Sequence, residues 1–153
     1  MTISKTINLF FFIVVGQMCA AQTTDSTYAE KLGYPKSARV LILHVDDAGM
    51  SYDSNEGAIN AITKGAANSV SVMMPCPWVP GFVNYLKDHP GIDAGLHLTL
   101  TAEWDAYRWG PVAGKAAVPG LVDKEGALWS SVESVVANAS ADEVEKEDRK
   151  SVV

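Results

Sequence analysis

The sequence predicts an α/β fold built on parallel strands, and three observations carry that reading. An apolar run ends in two adjacent carboxylates and then a glycine (Arg39-Val-Leu-Ile-Leu-His-Val-Asp-Asp-Ala-Gly49). A second segment (Gly91-Ile-Asp-Ala-Gly-Leu-His-Leu-Thr99) ends by presenting an imidazole. Between them, strand-like runs alternate with stretches of helix length in the order β-α-β-α-β, which calls for parallel strands and right-handed crossovers. Folds of this kind keep their chemistry at the C-terminal ends of the strands, where both polar groups fall. An antiparallel sandwich has no such alternation.

The elements follow in chain order. Residues 1–21 read as a secretory signal: Lys5, then an apolar run from Ile7 to Val15 too short to span a bilayer comfortably, then Cys19-Ala20-Ala21 in the small-residue pattern of a cleavage site. The chain is therefore expected to be exported, to the periplasm or the extracellular medium, with no stable membrane span after cleavage. A lipoprotein anchored at Cys19 is the alternative, but Gly16-Gln17-Met18 makes a poor lipobox. Cleavage after Ala21 leaves Cys76 as the single thiol, so no internal disulfide framework forms and stability rests on a packed core. Residues 22–37 are a polar leader segment closed by Tyr34-Pro35.

Residues 40–45 are continuously apolar up to His44, as expected for a strand buried on both faces of a parallel sheet. Ser51 or Asp53 caps a helix over 54–64, with Ala58, Ile59, Ala61 and Ile62 on its apolar face and Gly65 at its C-terminal cap. Residues 69–74 form strand two. Pro75, Pro77 and Pro80 precede a short helix over 81–87, and His89-Pro90-Gly91 turns the chain into strand three, 92–98. A long aromatic loop, 103–111, and Gly- and Pro-bearing segments follow. A short helix is expected over 129–136, and Ser140-Ala-Asp-Glu143 has the spacing of a capping box opening one more, cut off after about a turn.

Composition is that of an ordinary globular protein, 48% hydrophobic and 20% charged over 153 residues. The net charge of −6 comes from scattered acids and the cluster Asp142, Glu143, Glu145, Glu147, without a Lys/Arg stripe, which argues against nucleic acid as a partner. Residues 148–153, Asp-Arg-Lys-Ser-Val-Val, depart from what precedes them. They correspond to one reading frame of a common short-read sequencing adapter, so a non-native tail is expected there and a longer natural protein behind it.

Asp46 and Asp47 sit where a buried strand ends, before Gly49. Adjacent residues point to opposite sides of a strand, but the turn at its end lets both serve one site, one as ligand to a divalent metal and the other taking a proton from water. A lone His97 in an apolar segment is more often a hydrogen-bonded core residue than a ligand, and its combination with the aspartates reverses that reading. His44 lies deeper on strand one and reads as core or as a support to the site. His89 reads as a solvated turn residue and Cys76 as structural. Trp104, Tyr107, Arg108 and Trp109 form a cluster that either stacks on sugar rings, with Arg108 meeting polar substituents, or staples a long loop to the fold.

Leu43-His-Val-Asp-Asp-Ala-Gly-Met50, Asn55-Glu-Gly-Ala-Ile59, Ser69-Val-Ser-Val-Met-Met74 and Gly95-Leu-His-Leu-Thr-Leu-Thr101 together resemble the YdjC-like, or ChbG/HpnK, family of carbohydrate deacetylases. The resemblance covers residues 38–147, read as the N-terminal part of the family's domain. It implies a TIM-like (β/α) barrel related to polysaccharide deacetylases, of which only the first half is present. It further implies removal of acetyl groups from N-acetylated sugars such as chitooligosaccharides, with Asp46 as general base and Asp47 and His97 as metal ligands. The metal implied is Mg2+, with Zn2+ the alternative. The family's third ligand is a histidine in a later motif, and no histidine follows His97 here. The chain as written is accordingly expected to be poorly stable and inactive, and its parent active; a homodimer of the full-length protein is compatible with the resemblance.

The expected function is thus that of an exported metal-dependent hydrolase acting on the amide of an N-acetylated carbohydrate. Two rivals stand beside it. One is a metal-dependent phosphoesterase, which needs the same ion, water and base. The other is a carbohydrate-binding or inactive truncated homologue that keeps the aromatic loop.

Overall fold

A computed structural model describes residues 26–152. The expected signal segment, 1–21, lies outside them. Two compact units divide the chain at residue 41. The first contributes one helical turn, α1 (Tyr28–Lys31), closed by a capping box in which Thr27 and Glu30 satisfy each other's backbone N–H groups.

The second unit opens with three parallel strands in sequential order: β1 (His44–Ala48), β2 (Ser69–Val72) and β3 (Ala94–Leu96). Helix α2 (Tyr52–Thr63) joins the first pair, and α3 (Val79–Asp88) joins the second. Ser51 caps α2, its Oγ accepting from Ser54 N–H. Pro80 enters α3 in the first turn, where its missing N–H costs nothing. Val70, Val72 and Ala48 on one sheet face pack with Ala58, Val79 and Phe82 to make the core between sheet and helices.

The expectation that strand one is buried on both faces is corrected. The ladder starts at His44, with residues 40–43 exposed, because β1 pairs only from the level at which β2 begins. Of the three strands only the central β2 is buried throughout; β1 and β3 are edges. Strand three is likewise shorter than expected.

After Thr99 the backbone runs through an irregular stretch with one 3-10 turn (Pro119–Leu121) and one isolated bridge, Val122 to Leu128. Helices α4 (Val132–Asn138) and α5 (Ala141–Val152) follow. Ser140 and Glu143 form the expected capping box of α5. The helix then runs three turns rather than one, with Arg149 paired to Glu145 at 2.6 Å. A second core gathers Met73, Cys76, Ala102, Trp109, Val118, Leu121, Leu128 and Val135. No helix among the described residues is long and apolar enough to cross a membrane.

Candidate active site

The period-two alternation of β1 sends Val45 to the helix-packed core and His44 and Asp46 to the opposite face. The register with β2 then breaks between Val45 and Ala48. Asp47 takes up a left-handed conformation at φ 63°, a region in which aspartate is tolerated better than most side chains. This break removes the usual opposition of neighbouring side chains. Gly49, at φ 90°, completes the turn; a Cβ there would stand 2.5 Å from Val79 Cγ2. Buried Asn55 locks the loop from below, accepting from Gly49 N–H at 2.7 Å and donating to the Trp78 carbonyl at 3.0 Å.

β3 delivers His97 one residue past its end, with His97 N–H donating to Val72 O. Asp47 Oδ1 lies 3.2 Å from His97 Nδ1, and the Asp47 N–H donates to the same nitrogen at 3.4 Å. Asp47 and His97 thus bring a carboxylate and an imidazole, two donor types that divalent cations take, to the same end of the sheet. No group of three or more His, Cys, Asp or Glu donors is gathered among the described residues. Asp46, next to this pair, is held at one oxygen: Ser71 Oγ donates to Oδ1 at 3.4 Å, and His44 Nε2 stands 3.5 Å from it. No described side chain bonds Oδ2.

His44 is not core, since its side chain is 41% exposed on the Asp46 face, with Nδ1 2.6 Å from Ser69 Oγ. The roles of Ser69 and Ser71 escaped the sequence reading. The signal that finds them is their period-two spacing opposite His44 and Asp46, which has meaning only once the strand register is known.

The aromatic cluster divides. Trp104 presents a half-exposed ring edge-on to Tyr107. Tyr107 Oη donates to the Met50 carbonyl, tying the loop to the turn after β1. Arg108 is committed to structure, donating to Asp123 Oδ2 at 2.5 Å, to Leu128 O at 2.5 Å and to Ala102 O at 3.2 Å. Trp109 is buried, its Nε1 donating to Thr101 O. Cys76 is buried as well; burial first, then the charges of Asp47 and Glu103, push its thiol up to about 12, so it stays protonated and unreactive at neutral pH. A cavity of about 480 Å3 lies between residues 98–100 and α5.

A family model described as YdjC-like protein matches residues 40–150. A carbohydrate deacetylase of Thermus thermophilus is 38% identical over 118 residues, covering 77% of this chain and 39% of that protein. A chitooligosaccharide deacetylase of Yersinia enterocolitica is 29% identical over 112 residues, covering 71% and 40%. Among solved structures, a proposed cellobiose-phosphate cleavage protein of Enterococcus faecalis superposes with a TM-score of 0.66 at 26% identity, covering 76% of this chain and 43% of that one. The chain spans about two-fifths of the length of these relatives.

Proposed function

Because this chain belongs to the YdjC-like protein family, we propose that the full-length protein is a metal-dependent hydrolase that removes acetyl groups from N-acetylated carbohydrates of the chitooligosaccharide type. The observation that carries the proposal is the approach of Asp47 and His97 to 3.2 Å beside an Asp46 whose Oδ2 no described side chain bonds. The sequential order β1-β2-β3, each pair joined by a helix, supports a TIM-like barrel as the architecture that these units begin.

Asp47 and His97 would hold the divalent cation, Mg2+ or alternatively Zn2+. When bound it supplies Lewis acidity toward the acetamide oxygen. Asp46 Oδ2 takes a proton from the water that attacks the acetamide carbon; a C–O bond forms, the amine nitrogen takes up that proton as the C–N bond breaks, and acetate and a sugar amine leave. Fixing Asp46 through Oδ1 keeps the base oriented without spending the oxygen that does the work. Trp104 offers an exposed ring on which a sugar face can stack. The start of the chain supports export, and N-terminal sequencing of the mature protein is expected to begin at Gln22.

The test is acetate release from N-acetylglucosamine oligomers by the full-length protein with added Mg2+ or Zn2+. Asp46→Asn is expected to lower kcat about 10²- to 10⁴-fold, and Asp47→Ala or chelator to abolish turnover. Sugar binding without acetate release, unchanged by chelator, would sink the proposal. A second reading, cleavage of a phosphorylated sugar, is favoured by the name of the Enterococcus faecalis protein; breakdown of a phosphorylated disaccharide without acetate release would select it, with free phosphate marking a phosphoesterase.

A further inference from the structure

The sheet face beneath Asp46 carries polar side chains in two rows. His44 and Asp46 alternate along β1, Ser69 and Ser71 alternate along β2, and the register sets His44 opposite Ser69. Both serines are buried, and Gly95, paired with Ser71 on the next strand, adds no side chain to the row. Two hydrogen bonds and one longer approach link the four groups: Ser69 Oγ to His44 Nδ1 at 2.6 Å and Ser71 Oγ to Asp46 Oδ1 at 3.4 Å are hydrogen bonds, and His44 Nε2 stands 3.5 Å from Asp46 Oδ1 across the gap between them.

Tautomer chemistry gives this arrangement a direction. A neutral imidazole has one N–H donor and one acceptor nitrogen, and a carboxylate is an acceptor only. His44 Nε2 facing Asp46 Oδ1 is attractive only with the proton on Nε2, which makes Nδ1 the acceptor and Ser69 the donor. Ser69 is able to fill that role because its hydroxyl rotates to suit its partner. The ring is thereby fixed from behind, in the manner of groups that orient a functional histidine through its second nitrogen.

We propose that His44 is a positioning residue for Asp46: the Ser69 hydroxyl selects its Nε2–H tautomer, and the Nε2–H, together with Ser71, holds Asp46 Oδ1 so that Oδ2 faces the attacking water. This rests on the reading of Asp46 as the general base. The two anchors converge on one oxygen from neighbouring strands, so the carboxylate is held against rotation about its Cβ–Cγ bond.

Two measurements test it. Long-range 1H–15N correlation spectra of the chain are expected to show His44 as the Nε2–H tautomer. Its Nδ1 resonance is expected to move in Ser69→Ala and its Nε2 resonance in Asp46→Ala. A ring protonated on Nδ1, or one indifferent to both substitutions, overturns the inference. In the full-length protein, His44→Phe is expected to lower kcat for acetate release about 10- to 100-fold with KM unchanged. His44→Gln, which restores an N–H donor, is expected to recover most of the loss. Equal losses in the two variants, or none, overturn it. Asp46→Asn separates the two failures: if it retains turnover the base reading is wrong, and if it is inactive while His44→Phe is fully active only the positioning role is wrong.

Discussion

Residues 42–98 enclose one apolar core, and residues 99–152 supply most of a second that also takes in Met73 and Cys76, but the two segments satisfy their backbones by opposite means. In the first segment, ladders and helices do the main-chain pairing, with the outer edges of β1 and β3 left open, and the polar side chains of the sheet face opposite the helices remain free to face one another. In the second, long irregular stretches leave main-chain groups that side chains must take up. Glu147, 1% exposed, accepts from Val112 N–H at 2.7 Å and Ala113 N–H at 2.8 Å. Glu143 accepts from Gly120 N–H at 2.6 Å, and Trp129 Nε1 donates to Gly120 O. Arg108 and Trp109 are engaged in the same way. A charged or aromatic residue that lies in or against an irregular segment is thus first a substitute for missing secondary structure, whereas one at the end of a strand is available for chemistry.

That contrast breaks most sharply under core truncation. Phe82→Ala, at a fully buried position between α3 and the sheet, is expected to cost about 3–5 kcal/mol in urea unfolding. The second segment should answer instead to a polar deletion. Glu147→Ala orphans two backbone N–H groups and is expected to cost about 2–4 kcal/mol, more than removal of any exposed acid of α5; a loss below about 0.5 kcal/mol would remove the distinction drawn here. Helix caps act locally and should not distinguish the segments. Ser51→Ala and Ser131→Ala, each deleting an acceptor for the N–H three residues on, are expected to cost about 1 kcal/mol apiece.

The smallest effect is one of pH. Burial works against the charge of Asp123, and the Arg108 hydrogen bond with the N–H groups of Glu125 and Ala127 overrides it, holding the carboxyl below its usual 3.8. The Ser140 and Gly120 N–H groups and the Ser140 hydroxyl hold Glu143 below 4.5. Lowered folded values mean that both contributions are complete above those ordinary values and are lost as pH falls beneath them. Amide exchange at Gly120 and Ala127 is expected to accelerate in that acid range ahead of exchange at Val70. Simultaneous acceleration would show that the two segments open as one.

The same contrast explains what the sequence made legible. The order of strands and helices was readable because alternation and helical spacing repeat, and Ser51 and Ser140 announce their helices by composition. Strand ends were not, because pairing begins where a partner strand exists, which placed β1 at His44 rather than Val40. Asp46, Asp47 and His97 could be singled out from their positions at strand ends, and their meeting depends on a left-handed Asp47 that no pattern announces. The part played by His44, Ser69 and Ser71 needs the strand register. Between Thr99 and Ser131 no period exists, so whether Arg108 met a ligand or a carbonyl was undetermined by its neighbours in sequence.

The register also bears on how the chain assembles. His44 meets Ser69 and Val70 meets Ala94, so the two strand pairings close loops of nearly equal length, about 25 residues. Closure entropy varies only slowly with loop length, and the two steps therefore carry almost the same entropic barrier. Packing distinguishes them: β1 and β2 face the core that α2 and α3 close with Ala58, Val79 and Phe82, while β3 is an exposed edge. The strands thus add in chain order from β1 to β3, and each pairing needs only the helix that joins its two strands.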